Sequence, residues 1–148
     1  MLATYWPHLL AVAVGVGLTL QIGMNAMLGR VVGHPLWGAV ANFTVGLIAL
    51  LICVIAGGVR HVPGSVAQVP AWAWLGGLLG AAYVASATVL GPRLGGVALL
   101  ALVLVGQLTA SLLVDQFGVL GFPKIEISAS RLVGVALLLA GTLLVVRR

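Results

Sequence analysis

Gln21 and Asn25 stand four residues apart, so on a helix their carboxamides share one face, with Gly17 one turn earlier on that face. Gln107, Ser111 and Asp115 repeat the spacing over two turns and form a polar stripe. Gly38, Asn42 and Gly46 follow the same pattern, and Tyr83 and Ser86 lie three apart. All of them interrupt long apolar runs. An amide surrounded by hydrocarbon costs several kcal/mol unless it is paired or meets water, so these groups are expected to point at one another or into a wet cavity. Two roles are open to each. One is glue between helices, at roughly 0.6–2 kcal/mol per contact; the other is contact with a solute. The aligned pairs favour a cavity, with Gln21, Asn25, Asn42, Tyr83, Ser86, Gln107 and Ser111 as its candidate lining.

Acids are scarce. Asp115 and Glu126 are the two in the chain, and an ionisable residue at the end of an apolar run is a functional candidate by default. Arg131 or Lys124, in the connection that follows, can pair with Asp115, so the alternatives are an ion pair and a proton-coupling group. His8, His34 and His61 fall near the ends of apolar runs, where water solvates them. A single cysteine, Cys53, allows no intrachain disulfide and no metal cluster. There is no Ser/His/Asp constellation, phosphate loop, pair of catalytic carboxylates or metal-ligand spacing, so neither an enzyme nor a cofactor or metal is expected.

The elements that position these groups follow from composition. Of 148 residues, 62% are hydrophobic and 6% charged, and the mean hydropathy is +1.27. Soluble domains carry roughly 25% charged residues, so nine charges cannot clothe a water-soluble globule of this size. The bilayer is the main solvent. At about 20 residues per span, the chain is expected to form one all-α transmembrane domain over 1–148, with five helices at about 7–28, 35–56, 71–90, 94–114 and 128–146. The fifth is marginal, because its charge-free stretch covers only roughly 22 Å of helix against roughly 30 Å of hydrocarbon. Ser128 or Ser130 is the expected N-cap there. Trp6, Trp37, Trp72 and Trp74 fall at predicted helix starts, as an aromatic belt requires.

Five alternating spans divide the basic residues almost evenly. The N-terminal side receives Arg60, Lys124 and Arg131, and the opposite side Arg30, Arg93, Arg147 and Arg148. Orientation follows an excess of Lys and Arg in cytoplasmic loops, and an excess of one barely biases insertion. Dual topology is the expectation, with two copies assembled antiparallel. The net charge of +5 reflects missing acids; the basic residues are scattered and do not interleave with aromatics, so no nucleic-acid surface is expected. Five helices make a poor conduit, but two inverted copies make ten and reproduce the inverted-repeat logic of many secondary transporters. Gly76 with Gly80, and Ala136 with Ala140, offer small-residue faces for close packing.

These segments resemble the YdcZ family of small bacterial inner-membrane proteins, within the drug/metabolite transporter superfamily. The resemblance spans nearly the whole chain. It rests on Gly17-Leu18-Thr19-Leu20-Gln21 with Asn25, Leu28 and Gly29, on Trp74 before Gly76-Gly77 and Gly80, on Gly106-Gln107 with Ser111, Asp115, Gly118, Gly121 and Phe122, and on Arg131 with Gly134. It implies five-helix units that work as inverted pairs, separate or fused. Small multidrug transporters of that superfamily carry a glutamate on the first helix; this chain has Gln21 and Asn25 there and no acid, so drug-cation/proton antiport does not carry over.

The expected function is that of a transporter subunit in the bacterial inner membrane, moving a small polar solute by alternating access through a cavity shared with an antiparallel copy or a homologous five-helix subunit. The alternative is a non-transporting membrane subunit that stabilises or regulates a larger complex.

Overall fold

A computed structural model describes residues 2–59, 64 and 66–147, with side chains from Tyr5 onward. Arg60, His61 and Arg148, which entered the readings above, lie outside the described residues. Five α-helices carry the fold: α1 (Leu2–Val32), α2 (Pro35–Ala56), α3 (Leu75–Leu94), α4 (Gly96–Phe117) and α5 (Ala129–Val146). Short 3-10 turns at Val66–Gln68 and Ala71–Trp74 precede α3. Among the described residues there is no strand, and all five helices are long and apolar enough to cross a membrane.

The helices differ from expectation mainly at their ends. Arg30 does not terminate α1, which continues to Val32 and stops where Gly33 takes φ +95°, a left-handed value that favours glycine. With 31 residues, α1 extends about 46 Å, more than the hydrocarbon thickness. Pro35 opens α2 at its first position, where a missing N–H costs nothing. His34 caps that helix, its Nδ1 accepting from the Leu36 amide at 3.2 Å. Trp72 and Trp74 lie in the 3-10 turn ahead of α3. Pro92 does not end α3; lacking an N–H, it removes the one bond that would run to the Thr88 carbonyl, and the helix continues to Leu94 before the chain turns at Gly95, φ +83°. Asp115, Gln116 and Phe117 belong to α4 and not to the loop after it. Gly118 then closes α4 in the left-handed region, its amide donating to the Asp115 carbonyl and that of Val119 to the Val114 carbonyl, a Schellman-type end.

Contacts divide the chain into two compact units, residues 1–93 and 94–148. In the first, α1 and α2 form an antiparallel hairpin that is tight at its turn. A Cβ added to Gly29 would lie 2.8 Å from the Pro35 Cα, and one added to Gly38 would overlap the Asn25 carbonyl oxygen. Glycine at these two positions lets the backbones meet. The hairpin is looser farther from the turn, where a Cβ on Gly17 or Gly46 would meet nothing within 4 Å. The Gly76 and Gly80 face is also open: Gly76 has no neighbour within 4 Å of an added Cβ, and Gly80 only the Phe43 ring at 3.9 Å.

In the second unit α4 packs on α5. Ser128 is the N-cap of α5, accepting from the Arg131 amide at 3.4 Å and lying 3.0 Å from the Ser130 hydroxyl. A helix of 18 residues reaches about 27 Å, so the cap decides whether α5 starts early enough to span. Ser128→Ala is expected to destabilise the protein by about 1 kcal/mol, read as a lower thermal midpoint in detergent, with Ser130→Ala changing it less.

Candidate functional site

Beyond the contact of Gly38 with Asn25, α1 and α2 diverge and leave a groove of about 820 Å³. Its walls bring together three residues separated in the chain: Gln21 and Asn25 from α1 and Asn42 from α2. Gly17 and Gly46 line it as well and leave room for an occupant. The rest is apolar, with Leu20, Met24, Leu28, Phe43, Leu47 and Leu50 prominent. Met24 and Leu28 are three and seven residues after Gln21, on its helical face; the periodicity contained them, and only their lack of polar atoms hid them.

Polar groups in these helices fall into two kinds. The hydroxyls of Thr19, Thr44, Thr88 and Thr109 each donate to the carbonyl four residues earlier in their own helix, at 2.8–3.2 Å. A carboxamide carries two donors and an acceptor and is not satisfied this way. Among the described residues, the side chains of Gln21, Asn25 and Asn42 have no hydrogen-bond partner in the protomer, although Asn25 is only 7% exposed.

A second groove, about 300 Å³, lies between α4 and α5 and is lined by Ser111, Asp115 and Arg131 with Leu108, Gly134 and Leu138 among others. Here Arg131 Nη2 donates to Asp115 Oδ2 at 2.9 Å. Lys124, the other candidate cation, is drawn elsewhere: its backbone and Cβ lie against Gly118, 3.0–3.3 Å from where a Cβ there would be. The connection is tied back onto α4, because the Ile125 amide donates to the Asp115 carbonyl at 2.8 Å and the Ile127 amide to Gln116 Oε1 at 2.8 Å. Arg131 Nη1 is buried without a partner. The role of Gln116 had no signal in the sequence, since it depends on where the loop returns.

The remaining candidates line neither groove. Gln107 is exposed, Tyr83 half-buried and Ser86 exposed. The stripe of Gln107, Ser111 and Asp115 is thereby split. Eight residues at 3.6 per turn overshoot two turns by about 80°, so Gln107 rotates off the face that Asp115 presents to α5. Gln107 also sits about half a residue past the centre of α4, under 1 Å along the axis, because the helix starts and ends later than its predicted 94–114.

Five apolar helices, with polar side chains gathered in grooves between consecutive ones, define a multi-pass helical membrane protein. A family model described as "Putative inner membrane exporter, YdcZ" matches residues 6–144, and the chain belongs to that family. It is a multi-pass protein of the bacterial inner membrane, and its family supports a role in transport and not in catalysis. No curated protein and no solved structure matches the chain.

Proposed function

We propose that this chain is one subunit of an alternating-access transporter that moves a small polar solute through a cavity shared by two oppositely inserted subunits, the second being another copy or a homologue of five helices. The observation that carries this reading is the row of Gln21, Asn25 and Asn42, unpaired in the protomer and opening on one groove. Interhelical glue would be expected to pair at least some of these groups across the closely packed hairpin. A solute site leaves them vacant until cargo arrives.

Two features support a second subunit. Gln107 is exposed near the centre of α4 with no partner in the protomer, and an amide in contact with lipid tails costs several kcal/mol. A neighbouring subunit or a wet cavity removes that cost. The near balance of basic residues between the two sides fits insertion in both orientations. Asp115, already paired with Arg131, serves in this reading as a structural ion pair at the start of α5.

Flux of a metabolite panel into proteoliposomes tests the proposal. The protein is expected to carry at least one solute, with Gln21→Ala or Gln107→Ala reducing uptake at least tenfold while the oligomer survives size-exclusion chromatography. Loss of the oligomer in these variants would assign the amides to glue. Absence of flux for every solute would point to the non-transporting subunit. A C-terminal tag accessible from both membrane faces is expected for dual topology; a tag found on one face only defeats the homodimeric form.

A further inference from the structure

The α1/α2 groove restricts the chemistry of its occupant beyond "small and polar". Its volume of about 820 Å³ falls within the range of small-molecule sites, roughly 300–1,000 Å³. Three carboxamides supply its polarity, and no Asp, Glu, Lys, Arg or His lines it. Asn25 is the decisive group: the residue is 93% buried, its carboxamide has no partner in the protomer, and it lines the groove, so an occupant that displaces water there must pair with it. Leaving such an amide unpaired costs about 1–3 kcal/mol. An acyl chain from the bilayer has nothing to offer it.

We infer that the groove binds a neutral amphiphile bearing an amide-type edge, with a donor and an acceptor side by side, as in a primary amide, lactam, urea or heterocyclic amide. The inference rests on the transport reading above. A carboxamide both donates and accepts, so it pairs in two directions with a group of the same kind. The apolar wall of Phe43, Leu47, Leu50, Leu20 and Met24 takes the rest of the molecule. An ion would enter without a counter-charge, and burying an unpaired charge is far costlier than burying a paired amide. The groove is therefore selective against ammonium and carboxylate cargo alike.

The test uses sets of isosteres with one apolar body, such as N-acetyl-leucinamide, N-acetyl-leucine and leucinamide, together with lactams and ureas of similar size. Binding to the purified full-length protein is measured by equilibrium dialysis, and uptake is followed in proteoliposomes. Neutral members are expected to bind and move at least tenfold better than their charged isosteres. Asn25→Leu should abolish the preference, and Gln21→Glu, checked for folding by size-exclusion chromatography, should shift it toward the amine. Equal or better handling of charged isosteres overturns the inference and leaves transport intact. So does failure of every neutral amide alongside uptake of other metabolites. Amide variants that break the oligomer without altering ligand preference also overturn it, because a second copy then covers the groove. Absence of flux for any metabolite overturns the transport reading, and this inference with it.

Discussion

Gly38→Leu is expected to prevent the α1/α2 hairpin from closing and to lower stability by more than about 3 kcal/mol. Overpacking in a well-packed interior typically costs about 1–3 kcal/mol, occasionally more, and here the obstruction is backbone. The first atom added to Gly38 already overlaps the Asn25 carbonyl, which belongs to helix α1 and cannot rotate away as a side chain does. Even Gly38→Ala is expected to fall within the 1–3 kcal/mol range. Gly46→Ala is the matched control. It lies two turns further along the same helix, an added Cβ there meets nothing within 4 Å, and replacing a mid-helix glycine returns about 0.5–1 kcal/mol of helix propensity. Thermal unfolding in detergent should therefore rank Gly46→Ala at or above wild type, Gly38→Ala below it and Gly38→Leu lowest. If the two alanine variants unfold together, the close approach at Gly38 is not what holds the hairpin.

The second large effect concerns Asp115 and Arg131. Removing one partner of a fully buried pair costs about 3–5 kcal/mol, whereas exposed pairs are worth about 0–1 kcal/mol. With side-chain exposures of 17% for Asp115 and 36% for Arg131, Arg131→Ala is expected to cost about 1–3 kcal/mol. The loss comes mainly from an aspartate left without its counter-ion beside Leu108 and Leu112. Replacing both, as Asp115→Asn with Arg131→Gln, should recover a good part of that loss, because no lone charge remains. A double-mutant cycle measures the coupling directly. Additive single effects would mean that the 2.9 Å contact contributes nothing to stability. Gln116→Ala separates the ion pair from the loop anchor, since it removes only the acceptor for the Ile127 amide.

The order of the elements was legible in the residues. Apolar runs bounded by single arginines define five helices, and Pro35 and Ser128 mark where α2 and α5 begin. Helix ends were less legible. The predicted ends at 28 and 90 fell short, because a lone arginine is an ordinary helix former and the single N–H missing at Pro92 does not break α3, so α1 and α3 run on to the left-handed glycines Gly33 and Gly95.

For the candidate site, spacing along one helix determined what residues on that helix can do together, and this holds for Gln21 and Asn25 because four residues overshoot one turn by only about 40°. It failed for Gln107, since the same spacing applied twice accumulates an angular error that carries a side chain off the face. That Asn42 joins Gln21 and Asn25, that Arg131 and not Lys124 meets Asp115, and that Gln116 holds the returning loop are facts about which helix lies against which. They depend on contacts such as those at Gly29 and Gly38, where a missing Cβ lets two backbones touch. Hydrophobicity, a sum over residues, settled from composition alone that this chain lives in a membrane. Pairing depends on distances between atoms far apart in the chain, and only the folded arrangement sets those.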